Sequence, residues 1–245
     1  MLLSWFCIWQ ADEVKPLSPY ERSGLEALLL GCPDLRAGHI LTPADAHDPY
    51  FPAHGGSPSL IVQAQFDEID VLENNLRRGG YLSALTEPGL LRSLHNVKPS
   101  QQTMLTRRLP VAGDRSFHGM TKSLSYWVEY TGPAEDENAW HEFYLDSHTP
   151  LLGRLPGIRA IEIYTPAVAV CGLHLPERRC MQRNKTVFDS AEAMDAAMKS
   201  PVREMLREDV THFPPFSGAA HHFPFESISW WPDGAGLARG DQITS

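Results

Sequence analysis

Apolar residues in the second half of the chain recur with two periods in turn. SLSYWVEYT (123–131) alternates and is rich in aromatic and β-branched residues, which predicts a strand. Trp140, Phe143, Tyr144, Leu151 and Leu152 then recur at helical spacing. The acidic run Glu135-Asp136-Glu137 before them suits a helix N-terminus, whose dipole favours negative charge. IRAIEIYT (158–165) and RNKTVF (183–188) read as the second and third strands. DSAEAMDAAMKSPVREMLRE (189–208) reads as a helix broken near Pro201, and HHFPFESISWW (221–231) as a last strand. The order β-α-β-β-α-β is that of a ferredoxin-like unit.

The pattern occurs twice. PDLRAGHILTPA (33–44) set above PGIRAIEIYTPA (156–167) matches at seven of twelve positions, at an offset of 123. Ser4-Trp5-Phe6 lies over Tyr126-Trp127-Val128, and Phe66-Asp67 over Phe188-Asp189, at 122. Two repeats follow, 1–109 and 123–231, with 110–122 as linker and 232–245 as a flexible Gly-rich tail. One such unit leaves one sheet face open. The expected fold is therefore α+β: tandem ferredoxin-like repeats packing sheet to sheet as an intramolecular α/β barrel.

Composition changes this picture little. The 245 residues, 42% hydrophobic and 21% charged, are those of a soluble globular chain. A net charge of −9 argues against nucleic acid and anionic membrane surfaces as partners. The start, MLLSWFCIWQADE, lacks the basic residues of a signal peptide, and no stretch reaches the roughly 18 apolar residues of a membrane span. Four scattered cysteines without a C-x-x-C spacing point to reduced thiols and a cytoplasmic location. The sequon Asn184-Lys185-Thr186 has no meaning without secretion.

Candidate chemistry centres on His148. Pro150 cannot donate to the carbonyl of Asp146 and disfavours helical geometry at Thr149, so the helix should kink or tighten and re-aim the imidazole. Such a histidine can move protons near neutral pH, or simply bond a nearby backbone group. Tyr144 shares its helical face. If the isoleucines of the second strand pack under the helices, Glu162 and Tyr164 look into the barrel as a further acid/base pair, or Glu162 pairs with Arg183 or Lys185. Glu129 is expected on the strand face of Trp127, with Cys7 and Trp5 there in the first repeat; among aromatics its pKa would rise, or it is solvated. Of His221 and His222, adjacent in a strand, at most one faces the barrel. His141 reads as solvated, and His47, His54 and His174 as residues of the long β2–β3 connections. Nucleotide, flavin and zinc-protease motifs are missing, which makes a cofactor-free protein the economical reading, with cofactors and metals expected to be none.

Phe143-Tyr144-x-x-x-His148-x-Pro150-Leu151, followed by Leu155-Pro156-Gly157-Ile158-Arg159 and a strand ending in Pro166, resembles the hallmark of EthD-like proteins of the dimeric α/β-barrel superfamily. The first repeat keeps Pro33, Arg36, Ala37, Thr42 and Pro43 but has Leu25 or Glu26 where the histidine would fall. The resemblance implies one intact and one degenerate site. Relatives include muconolactone-type isomerases, polyketide cyclases such as olivetolic acid cyclase, cofactor-free monooxygenases, decarboxylating or dehydrating enzymes, and some haem enzymes, and fold alone does not choose among them. The expectation taken forward is a cofactor-independent lyase or isomerase acting on a small aromatic or cyclic carbonyl compound. His148 would be its base or acid, with Tyr144, Glu162, Tyr164, His221 or His222 polarising the carbonyl. The alternatives are a haem-dependent or cofactor-free oxidoreductase and a non-catalytic binder of aromatic ligands. Fusion of two units leaves a homodimer open.

Overall fold

The computed structural model describes residues 1–46, 48, 56–112 and 119–231. The first half runs β1 (Leu3–Trp9), α1 (Pro19–Leu30), β2 (Ala37–Pro43), β3 (Leu60–Phe66), α2 (Ile69–Leu76) and β4 (Ser100–Leu109). The second runs β5 (Gly119–Tyr130), α3 (Glu137–Phe143), a π turn (Tyr144–His148), α4 (Thr149–Leu152), β6 (Ile158–Pro166), β7 (Gln182–Phe188), α5 (Ala191–Met198), α6 (Pro201–Val210) and β8 (Ala220–Trp231). β5 therefore starts within the stretch read as linker. The break at Pro201 is real: Ser190 caps α5 by accepting from the Ala193 N–H, and Pro201 opens α6 where a missing N–H costs nothing.

The strands form one closed barrel, in the order β1-β3-β2-β8-β5-β7-β6-β4. The two ferredoxin-like sheets face each other as expected, and their edges also pair, β2 with β8 and β4 with β6, which leaves no edge open. Pairing also fixes how the halves correspond. Leu3 pairs with Phe66 and Leu124 with Phe188, so β1 and β5 superpose at an offset of 121 and β3 and β7 at 122. Sequence matching had placed β1 over β5 at 122. A one-residue slip turns each side chain to the opposite face. Trp5 and Cys7 consequently pack under the helices, whereas Trp127 and Glu129 face the barrel and do not share their side.

Side chains fill the barrel. Phe6, Trp127 and Tyr164 pack edge-on or tilted at centroid distances of 5.0–5.8 Å, with Phe223 and Phe225 in the same cluster. Beside them lies a buried polar net: Lys185 Nζ bonds Gln63 and sits 3.0 Å from Glu162, while Arg183 Nε donates to Glu129 at 2.8 Å. Burial pushes the Glu129 carboxyl up, but Arg183 and Arg178 overcome this and hold it at about 2, so the raised pKa expected from its aromatic neighbours does not occur. Outside the barrel, the first half closes its helix–sheet space with leucines. Leu82, Leu85, Leu91 and Leu94, in or just before 3₁₀ turns at Tyr81–Thr86 and Arg92–Leu94, join one buried cluster with Trp5, Leu25 and Trp9. The second half keeps that space partly open.

All four cysteines are free thiols. No helix among the described residues is long and apolar enough to cross a membrane.

Candidate active site

The path to the site begins at Pro150. Thr149, one residue before it, donates its backbone N–H to the carbonyl of Tyr144, five residues back, and Thr149 Oγ1 donates to the same carbonyl at 2.9 Å. The helix answers the proline by widening into a π turn, not by tightening, and Thr149 keeps helical angles (φ −64°, ψ −43°). The turn rotates His148 inward against Tyr144 and Phe213, at ring distances of 5.0 and 5.1 Å. His148 Nδ1 lies 2.8 Å from Asp209 Oδ2, and the other oxygen of Asp209 accepts from Ser147 Oγ. An imidazole that donates Nδ1–H to a carboxylate leaves Nε2 as its basic nitrogen. Burial lowers the pKa of His148 below the ordinary value, against the opposing pull of Asp209, so the ring is neutral at pH 7.

His148 borders a cavity of about 260 Å³ between the outer face of the second sheet and its helices. Leu152, Leu155, Met198, Leu206, Phe213 and Phe216 supply its apolar wall. A second polar group closes another side. Tyr126 Oη donates to Asp48 and lies 2.9 Å from His222 Nδ1, and Arg203 Nη2 meets the same Asp48 oxygen at 3.0 Å. Tyr126 has one hydroxyl hydrogen, spent on Asp48, so His222 must be the donor in its bond to Tyr126. Burial holds His222 at about 3, hence neutral, and burial together with Asp48 raises Tyr126 well above a free tyrosine. Asp48 belongs to the β2–β3 connection of the first half, so that half supplies the partner of two residues on the cavity wall, Tyr126 and Arg203. Asn184 Nδ2 donates to Tyr144 Oη at 2.5 Å.

Of the residues singled out from sequence, His148 and His222 border this cavity, and Tyr144 packs behind them on the His148 ring. Glu162, Tyr164 and His221 do not. Glu162 and Tyr164 point into the barrel, on the other side of the sheet, where Tyr164 Oη bonds Glu162 at 2.5 Å and Lys185 neutralises it. His221 stacks on Phe223 at the barrel mouth. His141, expected in solvent, is half-buried with Nδ1 3.0 Å from Gln182 Oε1. His47 and His54 lie outside the described residues. Sequence reading missed Asp209, Arg203, Tyr126, Asp48 and Asn184. Asp209 and Arg203 sit in a helix where charge is everywhere (REMLRED), so nothing marks them, and Asn184 was read only as a sequon.

A metal ion, and the haem that the resemblance allows, can each be tested against these residues. Among the described residues no His, Cys, Asp or Glu cluster of three could hold a metal. Haem does not fit the cavity in this shape: about 260 Å³ lies below the roughly 300–1,000 Å³ of drug-sized pockets, and haem is larger than most drugs.

No protein-family model matches the chain, and a search of curated proteins found no match. Solved structures do match. An anthrone oxidase-like protein superposes with a TM-score of 0.58 over 98% of this chain and 96% of its own, at 12% identity. The fold is the dimeric α/β barrel, here with both halves in one chain. A monooxygenase candidate from Fusobacterium nucleatum matches at 0.56 and 6% identity over 96% of this chain and 95% of that one. A chlorite dismutase variant from Candidatus Nitrospira defluvii matches at 0.51 and 11% identity over 91% of each. At these identities the likeness is one of fold.

Proposed function

We propose that this dimeric α/β barrel is an acid–base enzyme that removes a proton from a small aromatic or cyclic carbonyl compound, with His148 as the general base. The observation that carries the reading is the buried His148–Asp209 pair on the wall of a small, mostly apolar cavity. Asp209 fixes the tautomer and stabilises the imidazolium formed when Nε2 takes the proton, and burial keeps the resting ring neutral and ready to accept it. Arg203, held by Asp48, supplies positive charge for the oxyanion that develops on the substrate. Proton removal and return at a second atom is an isomerisation or cyclisation; loss of a neighbouring group is a lyase step. The cavity's volume limits the substrate to one or two rings.

The name of the anthrone oxidase-like neighbour favours a second reading, in which the same carbanion reduces molecular oxygen. Turnover without oxygen separates the two: an isomerase or lyase continues under argon, and an oxidation stops. Replacing the base, as His148→Gln, should lower kcat by about 10²–10⁴-fold on a substrate found by screening small phenolic carbonyl compounds, with the thermal midpoint little changed. Undiminished kcat in a folded variant would falsify the assignment.

A further inference from the structure

Resting on the reading of the cavity as a small-ring site, a further group on its wall narrows the substrate. Asn184 is 2% exposed and borders the cavity from β7. Its Nδ2 is used, donating to Tyr144 Oη at 2.5 Å. Its Oδ1 is buried and has no hydrogen-bond partner among the described residues. An amide carbonyl buried without a donor is costly, and a position that carries such a cost next to a cavity is complementary to a donor arriving from it. Tyr144 links this amide to the base: its hydroxyl receives Asn184 Nδ2, and its ring lies 5.0 Å from the His148 ring. His148 and Asn184 thus both border the cavity, set among leucines, methionine and phenylalanines.

We propose that Asn184 Oδ1 receives a substrate hydroxyl, so that the site takes hydroxy-substituted rings carrying a second O–H besides the group that meets His148. A hydroxyl here is bound, not transformed: its hydrogen points at the amide oxygen, and no bond is made or broken at Asn184. Sites built to bond a hydroxyl reject analogues that lack it far more strongly than apolar pockets reject a missing methylene. The chemistry names polyhydroxylated aromatic or enolic compounds, and excludes the methyl ethers of the same rings.

The test uses the whole chain and four kinds of probe: phenol, the three dihydroxybenzenes, their mono-methyl ethers, and toluene. Binding is read by tryptophan fluorescence and calorimetry. At least one dihydroxybenzene should bind tenfold or more tightly than phenol, and its methyl ether should lose that gain. In Asn184→Leu the gain should vanish while phenol still binds. Because this variant also strips a bond from Tyr144, wild-type protein labelled with ¹³C-asparagine gives an independent reading. The side-chain carbonyl resonance of Asn184 should move with the preferred dihydroxybenzene and stay with toluene. Dihydroxybenzenes no tighter than phenol, a gain that survives Asn184→Leu, or methyl ethers preferred over free hydroxyls would each overturn the role of Asn184 while leaving the cavity a ring site. If no ring binds at all, the reading of the cavity falls as well.

Discussion

At the residue level the His148–Asp209 pair makes a prediction whose sign follows from the two opposing effects on the imidazole. Burial lowers its pKa, and the Asp209 charge and hydrogen bond raise it. Activity that needs the neutral base should therefore rise with pH along a limb centred below the free-histidine value of about 6.5. Asp209→Asn removes the raising influence. The limb, and the His148 titration followed by ¹⁵N NMR, should move to still lower pH, with kcat reduced because the imidazolium loses its carboxylate. A limb that moves upward would contradict the arrangement. Asp48 predicts a stability effect instead. Its buried pair with Arg203 has side-chain exposures of 1% and 9%, and deleting one member of such a pair leaves a charge inside the protein. Asp48→Ala should cost about 3 kcal/mol, measured as a lower urea midpoint.

Elements explain why a proline sits beside the base. The widened turn at Tyr144–His148 depends on Tyr144's carbonyl receiving two donors from Thr149, the backbone N–H and Oγ1. Thr149→Val keeps shape and volume but removes the hydroxyl, and should cost about 1 kcal/mol. It should also loosen His148, visible as a broader or shifted ring signal in NMR. Sequence indicated that Pro150 would kink or tighten the helix, and the helix widened instead. Tightening and widening both relieve the missing N–H, and the choice was made by Thr149 and by the packing of Tyr144 on Trp140, stacked at 5.3 Å. The same level holds the contrast between the halves. Equivalent spaces between helices and sheet are filled by four leucines in one and left as a cavity in the other.

For the molecule as a whole, the buried ionisable groups predict lability to acid. His39 and His222 are held at about 3, chiefly by burial. Between pH 6.5 and 3 the unfolded chain binds protons there that the folded chain refuses, so stability falls as pH drops through that range. Glu129 and Glu162, held at about 2 by the cations beside them, add to the loss between 4.5 and 2, where only the unfolded carboxylates are protonated. Each such group changes stability by up to roughly 1.4 kcal/mol per pH unit. A urea midpoint that falls steadily from pH 6.5, and falls less steeply in His39→Gln, is the expected result; a flat profile would show these groups to be solvated. The barrel joins halves by two edge pairings and by polar bonds such as Lys185 to Gln63. Residues 1–109 and 119–231 made separately should therefore associate or aggregate rather than remain monomers, as sedimentation would show.

Local chemistry in the sequence determined a good deal. Alternation and helical spacing defined the strands and helices of the second half, twelve-residue self-similarity defined the tandem design, and a His-x-Pro step pointed at His148. These are readable because each depends on neighbours a few positions away. Tertiary structure decided the rest. The one-residue difference between offsets of 121 and 122 turned Trp5 and Trp127 to opposite faces, and only strand pairing could fix it. Glu162 and Tyr164, close to His148 in sequence, went to the far side of a sheet, while Arg203 came to the cavity from 55 residues away and Asp209 and Asp48 came from farther still to bond His148 and Arg203 on its wall. A charged residue in a charged helix carries no mark of its partner. Which carboxylate meets which imidazole depends on how helices lie on the sheet, and that is settled by packing across the whole chain.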